Sequence, residues 1–215
     1  MKNKGLLIVL AGFSGTGKGT IVKEVIRRRP DAYALSVSAT TRAPRAGEED
    51  GREYFFCTPE RFSQMVRDGA LLEHAEFVGH SYGTPRSYVE EQLQLGRNVI
   101  LEIECRGAMQ VKKAMPDAVL VFVLPPSIAT LSARLRGRNT ESDADIRARL
   151  EKAAEEYTYI PSFDYIIIND ELDAAVDAFE EVIRTAGRTP AENERFIRNI
   201  GEELDVVLER LKTEN

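Results

Sequence analysis

At 215 residues the chain has room for one α/β domain with insertions, and for a core that needs no disulfide or metal to hold it. Thirty-five acidic residues against 29 basic ones give a net charge of −6, which argues against nonspecific nucleic-acid binding, and a 43% hydrophobic fraction argues against a disordered chain. Two widely separated cysteines, Cys57 and Cys105, form neither a disulfide framework nor a zinc spacing, so a reducing compartment, the cytoplasm, is expected.

The run Leu6 to Ala11 follows Lys2 and Lys4 but is too short for a signal peptide, and no apolar stretch approaches the ~20 residues that cross a bilayer. It reads as a first buried strand, and no membrane partner is expected. Next comes Gly12-Phe13-Ser14-Gly15-Thr16-Gly17-Lys18-Gly19-Thr20, a glycine-rich turn that opens a helix. Strand, glycine turn and helix start are the setting of a phosphate-binding loop: backbone N–H groups at a helix N-terminus face an anion, and glycines let the main chain wrap it. Lys18 adds a point charge for the outer phosphates. The pattern G-x-x-x-x-G-K is complete, with Gly19 in the usual Ser/Thr position and Thr20 one place later. Ile21, Val22, Val25 and Ile26 then recur at helical spacing up to Arg27-Arg28-Arg29 and Pro30, a solvated helix end.

Tyr33 to Val37 reads as a strand, followed by Ser38 to Glu48, where Pro44 keeps Arg42 and Arg45 out of a regular helix. Planar guanidiniums in such a loop suit a phosphate clamp. Glu53 to Phe56 is expected as a strand, Pro59 to Asp68 as a helix closed by Gly69, and Leu71 to Val78 as a strand in which Glu73 and Glu76 interrupt clean alternation. His74 and His80 read as ordinary strand and turn histidines, with no further ligands at a metal spacing. Tyr82 to Pro85 is expected as a turn, Thr84 being the N-cap of the next helix and Pro85 its first residue.

Asn98 to Ile103 forms a buried strand with Glu102 near its end and Glu104 just beyond, where open α/β sheets place their ligands. A helix from Ala108 to Met115 leads to the continuous apolar strand Ala118 to Leu124. After the break at Pro125-Pro126-Ser127 come a helix, the basic turn-rich stretch Arg134 to Ser142, and a helix around Asp145 to Tyr157 carrying Arg147 and Arg149; this mobile, arginine-bearing segment suits a closing lid. Tyr165 to Ile168 is a last buried strand ending at Asn169-Asp170, and Leu172 to Ile183 a helix. Strands alternating with helices predict a parallel sheet covered on both faces. In the tail, Ile197, Ile200, Leu204, Val207 and Leu211 form a two-heptad seam, equally suited to folding back on the core or to a homo-oligomer contact, so monomer and homo-oligomer both stay open.

From Leu6 to Ile183 the chain resembles the guanylate kinases. Most specific are Ser38 to Gly47 together with Tyr54, Leu72-Glu73-His74-Ala75-Glu76, Tyr82-Gly83-Thr84 and Leu135-Arg136-Gly137-Arg138. The resemblance implies a P-loop NTPase fold, a three-layer α/β/α core with a parallel sheet over residues 1–32, 95–134 and 158–215, a small mixed α/β GMP-binding insert over 33–94 and a helical lid over 135–157. It implies transfer of the γ-phosphoryl group of ATP to GMP, and to dGMP, with Mg²⁺. ATP would lie on Gly12 to Thr20, Arg134, Arg138 and Asn169. Arg42, Arg45, Tyr54 and Tyr82 would hold the GMP phosphate, Ser38, Glu73, Thr84 and Glu104 would face guanine, with Gly83 beside them, and Glu102 would lie near metal and acceptor. Lys18, Arg42, Arg138 and Arg149 would serve catalysis, and Thr20 and Glu102 would reach the metal, through water.

Two chemical arguments agree with that implication. Guanine presents adjacent N1–H and N2–H donors, which suit an acceptor-only carboxylate such as Glu73, whereas adenine would set a lone pair against it. Phosphoryl transfer runs on positioning and electrostatics, which a phosphate loop, a lysine and separate arginine sets supply without a nucleophile. The chain departs from the family at Phe13 (commonly Pro), Glu104 (usually Asp), Cys105-Arg106 and Ala39; altered acceptor affinity is expected rather than a lost reaction. Two other readings compete. Lys18-Gly19-Thr20 looks like the adenylate kinase form of the loop, which would favour AMP. Guanylate-kinase-like domains also exist as protein-binding modules, though these tend to lose the arginines retained here.

Overall fold

A computed structural model of the protein describes residues 4–137, 143–188 and 197–204. The first strand, β1 (Leu7–Gly12), is buried at all six positions, because its β-branched and apolar side chains are packed from both sides. It lies at the centre of a five-stranded sheet with β2 (Tyr33–Leu35), β7 (Asn98–Glu102), β8 (Val119–Leu124) and β9 (Tyr165–Ile168), in the order β2-β7-β1-β8-β9 and parallel throughout.

Alternation sends successive β1 residues to opposite layers. Ile8 and Leu10 join Val121, Val123, α1 (Lys18–Arg28) and α7 (Leu172–Ala186), where Phe179 is fully buried. Leu7 and Val9 pack with Leu101, Leu120 and the helices α3 (Arg86–Gln94) and α4 (Cys105–Ala114). Further along that face, Ala11, Phe13 and Phe122 meet Leu131 and Leu135 of α5 (Ile128–Arg136) and Ile146 and Ala153 of α6 (Asp143–Tyr157). The architecture is therefore the expected three-layer α/β/α with a parallel core sheet.

Four short strands form a separate mixed sheet: β3 (Ser38–Thr40), β4 (Tyr54–Phe56), β5 (Leu71–Phe77) and β6 (His80–Pro85), ordered β4-β3-β6-β5. The β3–β4 pair is parallel, the other two antiparallel. Helix α2 (Pro59–Arg67), capped by the Thr58 side chain, sets Phe62 against Ala39 and Leu71 to form a small satellite core.

Several expectations shift. Tyr33–Leu35 pairs with β7 in the core sheet, so the second sheet starts at Ser38 rather than at residue 33. Tyr82 to Pro85 is the end of β6, not a turn; Pro85 occupies the N-cap of α3, and Thr84 faces inward from the strand. An edge position explains why β9 buries Ile167 and leaves Ile166 and Ile168 more than half exposed, against the expectation of a fully buried strand. Ile146 and Ala153 seat α6 on the core cluster, so a large part of the helix expected as lid is anchored there. Residues 197–204 are helical with Ile197, Ile200 and Leu204 about half exposed; Val207 and Leu211 lie outside the described residues.

Candidate active site

Gly12, Gly15 and Gly17 adopt φ of 146°, 91° and 86°, a run of conformations that side chains resist. At Gly17 a Cβ would also stand 2.6 Å from Asn169 Nδ2, which donates to the Thr16 carbonyl at 2.7 Å. Asn169, at the carboxyl end of β9, thus fixes the loop from two strands away. Lys18 Nζ donates to the carbonyls of Gly12 (2.6 Å) and Phe13 (3.0 Å), so the cation rests on its own loop. Burial pushes its ammonium below the usual lysine range; Glu102, then Glu156, Cys105 and Glu104 oppose that shift.

The rest of the cleft beside this loop comes from Glu102 to Glu104 at the end of β7, from α6 and from Phe77. Glu102 presses on the loop, its carboxylate oxygens within 3.4–3.5 Å of where a Gly19 Cβ would be. Helix α6 turns Arg149, Lys152 and Glu156 toward it: Arg149 donates to Ser14 Oγ, Lys152 is ion-paired with Glu104, and Glu156 is buried with one carboxylate oxygen, Oε2, lacking a hydrogen-bond partner. Burial pushes the Glu156 carboxyl upward and raises the Cys105 thiol to about 11, so this cysteine stays a thiol and takes no nucleophile's role. Arg134 reaches from α5 to the carbonyls of Asn169 (2.9 Å) and Asp170 (3.3 Å). Arg138 lies outside the described residues.

A cleft of about 690 Å³ opens on the other side, between the second sheet and the N-terminus of α4. Ser38, Arg42, Arg45, Tyr54, Glu73, Tyr82, Glu102 and Glu104 all line it, so topology brings together residues up to 66 positions apart in sequence, from Ser38 to Glu104. Arg42 pairs with Glu48 at 2.8 Å and lies over the Tyr54 ring, 5.3 Å from its centre; Tyr54 in turn meets Tyr82 edge to face. Glu48 also accepts from the Arg45 backbone N–H, tying both arginines to one carboxylate. Arg45 itself is exposed at the rim.

Glu73 is the buried end of this cleft. The pairing of β5 with β6 shifts between Leu71 and His74, a bulge that turns Leu71, Leu72 and Glu73 all inward. Thr84, fully buried opposite, donates its hydroxyl to Glu73 Oε1 at 2.7 Å. Burial raises the Glu73 carboxyl above its usual range, and the Thr84 bond partly opposes it. Gly107 leaves the space: a Cβ there would stand 3.0 Å from Glu73 Oε2. Gly83 sits too close to Glu73's carbonyl (2.8 Å) for any Cβ.

Glu104 departs from the pattern. Its partner is Lys152 on α6, although it still lines both clefts. Thr20 is exposed on the first turn of α1. Glu48, Lys152, Glu156 and Phe77, which lines both clefts, are site residues that the sequence reading did not single out. A signal existed for one of them: Glu48 falls three residues after Arg45, a spacing that closes a turn.

Among the described residues no group of three or more His, Cys, Asp or Glu could hold a metal ion by itself. One carboxylate, Glu102, stands beside the loop, and one or two carboxylates together with substrate phosphates and water are the ligands Mg²⁺ takes.

A family model described as guanylate kinase matches residues 4–186. A guanylate kinase of Streptococcus thermophilus is 47% identical over 94% of this chain and 93% of its own length. Another, from Desulfitobacterium hafniense, is 50% identical over 85% of this chain and 90% of its own. The crystal structure of guanylate kinase from Anaplasma phagocytophilum is similar with a TM-score of 0.67 and 30% identity, covering 88% of this chain and 89% of that one.

Proposed function

The chain belongs to the guanylate kinase family, an ATP-dependent nucleoside monophosphate kinase acting on GMP, and we propose that its two adjoining clefts divide that reaction between donor and acceptor. ATP would lay its phosphates on Gly12 to Thr20, with Lys18 leaving the Gly12 and Phe13 carbonyls for the outer phosphates. Arg149, already at the loop through Ser14, would meet the transferring group, and Arg134 would flank the donor beside Asn169.

GMP would enter the larger cleft. Arg42, Arg45, Tyr54 and Tyr82 would hold its phosphate, with Ser38, Glu73 and Thr84 at the base. The observation that carries this reading is Glu73: a buried carboxylate, held by Thr84, whose second oxygen faces space kept open by Gly107. An ionised carboxylate there accepts from guanine N1–H and N2–H and repels the N1 lone pair of adenine. Glu104 would act on the acceptor only by exchanging Lys152 for it.

Mg²⁺, when bound with ATP, would neutralise phosphate charge; Glu102, beside the loop, would hold it, with Thr20 reached through water. The protein's own part is positioning: no covalent intermediate is needed, and the acceptor phosphate oxygen attacks in line. Two free cysteines agree with a reducing, cytoplasmic setting.

The test is turnover of GMP, dGMP, IMP and AMP with ATP and Mg²⁺. GMP and dGMP should be phosphorylated, IMP, which lacks N2–H, poorly, and AMP least. A preference for AMP would overturn the role given to Glu73, and absence of any GDP would support a binding module instead.

A further inference from the structure

Phe77 is the last residue of β5, is 62% exposed, and lines both the donor-side and the acceptor-side clefts. Among the described residues four are common to the two clefts, the others being Glu102, Ile103 and Glu104, so the ring stands at the boundary where a phosphoryl group would cross. A phenyl ring offers that boundary no charge and no hydrogen bond. What it can do there is exclude water.

The backbone holds the ring in place at a cost. Phe77 pairs with His80 across a two-residue turn, Val78-Gly79, in which both residues have positive φ, 48° and 73°. That is the tight hairpin turn whose twist matches its strands, normally built from Asn-Gly or Gly-Gly. Val78 is the one non-glycine with positive φ among the described residues, and a β-branched residue there is strained. Val78 is itself 79% exposed and gains no core contact in return. Strain of this kind collects where a side chain must be aimed, and here it fixes the hairpin tip that carries Phe77.

We propose that Phe77 is a specificity-determining residue that caps the transfer point against water, so that the phosphoryl group passes to the acceptor phosphate instead of being hydrolysed. This rests on the two-cleft reading above. In transfer, a bond forms between an acceptor phosphate oxygen and the γ-phosphorus while the bond from that phosphorus to the β,γ-bridging oxygen breaks, giving GDP and ADP. In the competing reaction water supplies the attacking oxygen, its proton passes to solvent, and the products are ADP and inorganic phosphate. Both start from the same bound ATP, and exclusion of solvent decides between them.

The experiment measures GDP and inorganic phosphate together, in one reaction with ATP, Mg²⁺ and GMP, for the parent protein and for Phe77→Ser, Phe77→Leu and Glu76→Gln. Glu76 and Phe77 are both exposed, so none of these variants disturbs the core. Phe77→Ser should raise the ratio of inorganic phosphate to GDP about tenfold, equivalent to ~1.4 kcal/mol of lost discrimination. Phe77→Leu should restore the ratio, because an apolar side chain of similar reach is enough, and Glu76→Gln should leave it unchanged. An unchanged ratio in Phe77→Ser, an equal rise in Glu76→Gln, or loss of GDP without added inorganic phosphate would each overturn the proposal. Absence of GDP with the parent protein would remove the two-cleft reading itself, a result distinct from any of these.

Discussion

β1 is buried at all six of its positions between helices, whereas β4, on the four-stranded sheet, is half-buried throughout and backed by a satellite core centred on Ala39, Phe62 and Leu71. The phosphate loop grows out of the first of these strands, and the acceptor cleft is walled by the second sheet. Their charged groups differ in the same way. Lys18 rests on carbonyls of its own loop, so the phosphate loop is organised mainly by its backbone, with the Asn169 amide as a brace. Arg42 and Glu73 each need a side-chain partner, Glu48 and Thr84. The donor half is thus preorganised by local chain geometry, and the acceptor half by pairs of side chains set on a thin scaffold.

The largest effect expected from this contrast is at Lys18. On the proposed division, Lys18→Ala removes a charge that serves the donor phosphates and should lower kcat by about 10²–10³-fold. GMP affinity, measured by titration without ATP, should stay within about threefold, because Lys18 does not line the acceptor cleft. A collapse of GMP affinity with little change in kcat would erase the distinction between the halves.

Glu48 probes the acceptor half by the same logic. Glu48→Ala leaves Arg42 without its ion-pair partner and the Arg45 N–H without its acceptor, so the clamp loses its fixed geometry. The KM for GMP should rise about tenfold, the KM for ATP stay unchanged, and kcat fall less than the GMP term. Equal movement of both KM values would mean that the two clefts are one mechanical unit.

The same contrast decides what could be read from the sequence. The phosphate loop was legible because its residues are contiguous and each glycine answers a local backbone requirement, as the φ values of Gly15 and Gly17 bear out. The strand and helix order was legible from long apolar runs such as Val119–Leu124. Thr84 was misplaced because Tyr82-Gly83-Thr84-Pro85 carries turn-forming residues, while its true setting depends on pairing with β5 eleven residues away from Glu73 and across a bulge. The inward run Leu71-Leu72-Glu73 fails period-2 alternation for that reason, and no local pattern announces the register shift. Lys152 and Glu156 were equally hidden, since charged residues in a 30% charged chain look like solvated surface until the fold brings them to a cleft.

Thr84 also gives the smallest and most discriminating prediction. Glu73 must be ionised to accept both guanine N–H groups, and protonation turns one oxygen into a donor. GMP binding should therefore weaken as pH falls through the Glu73 pKa. Burial already lifts that pKa above the ordinary carboxylate value, and the Thr84 hydroxyl holds it down. Thr84→Val keeps the packed volume at this fully buried position but removes the hydroxyl, so the Glu73 pKa rises further. The acid limb of kcat/KM for GMP should move to higher pH, with the plateau above it lowered little and the ATP profile unmoved. A shift of the limb toward lower pH would show that the hydroxyl was not stabilising the carboxylate. An equal shift in the ATP profile would place the titrating group in the donor half, at Lys18 or Glu156, and the contrast between a backbone-built and a side-chain-built cleft would fail at its most buried contact.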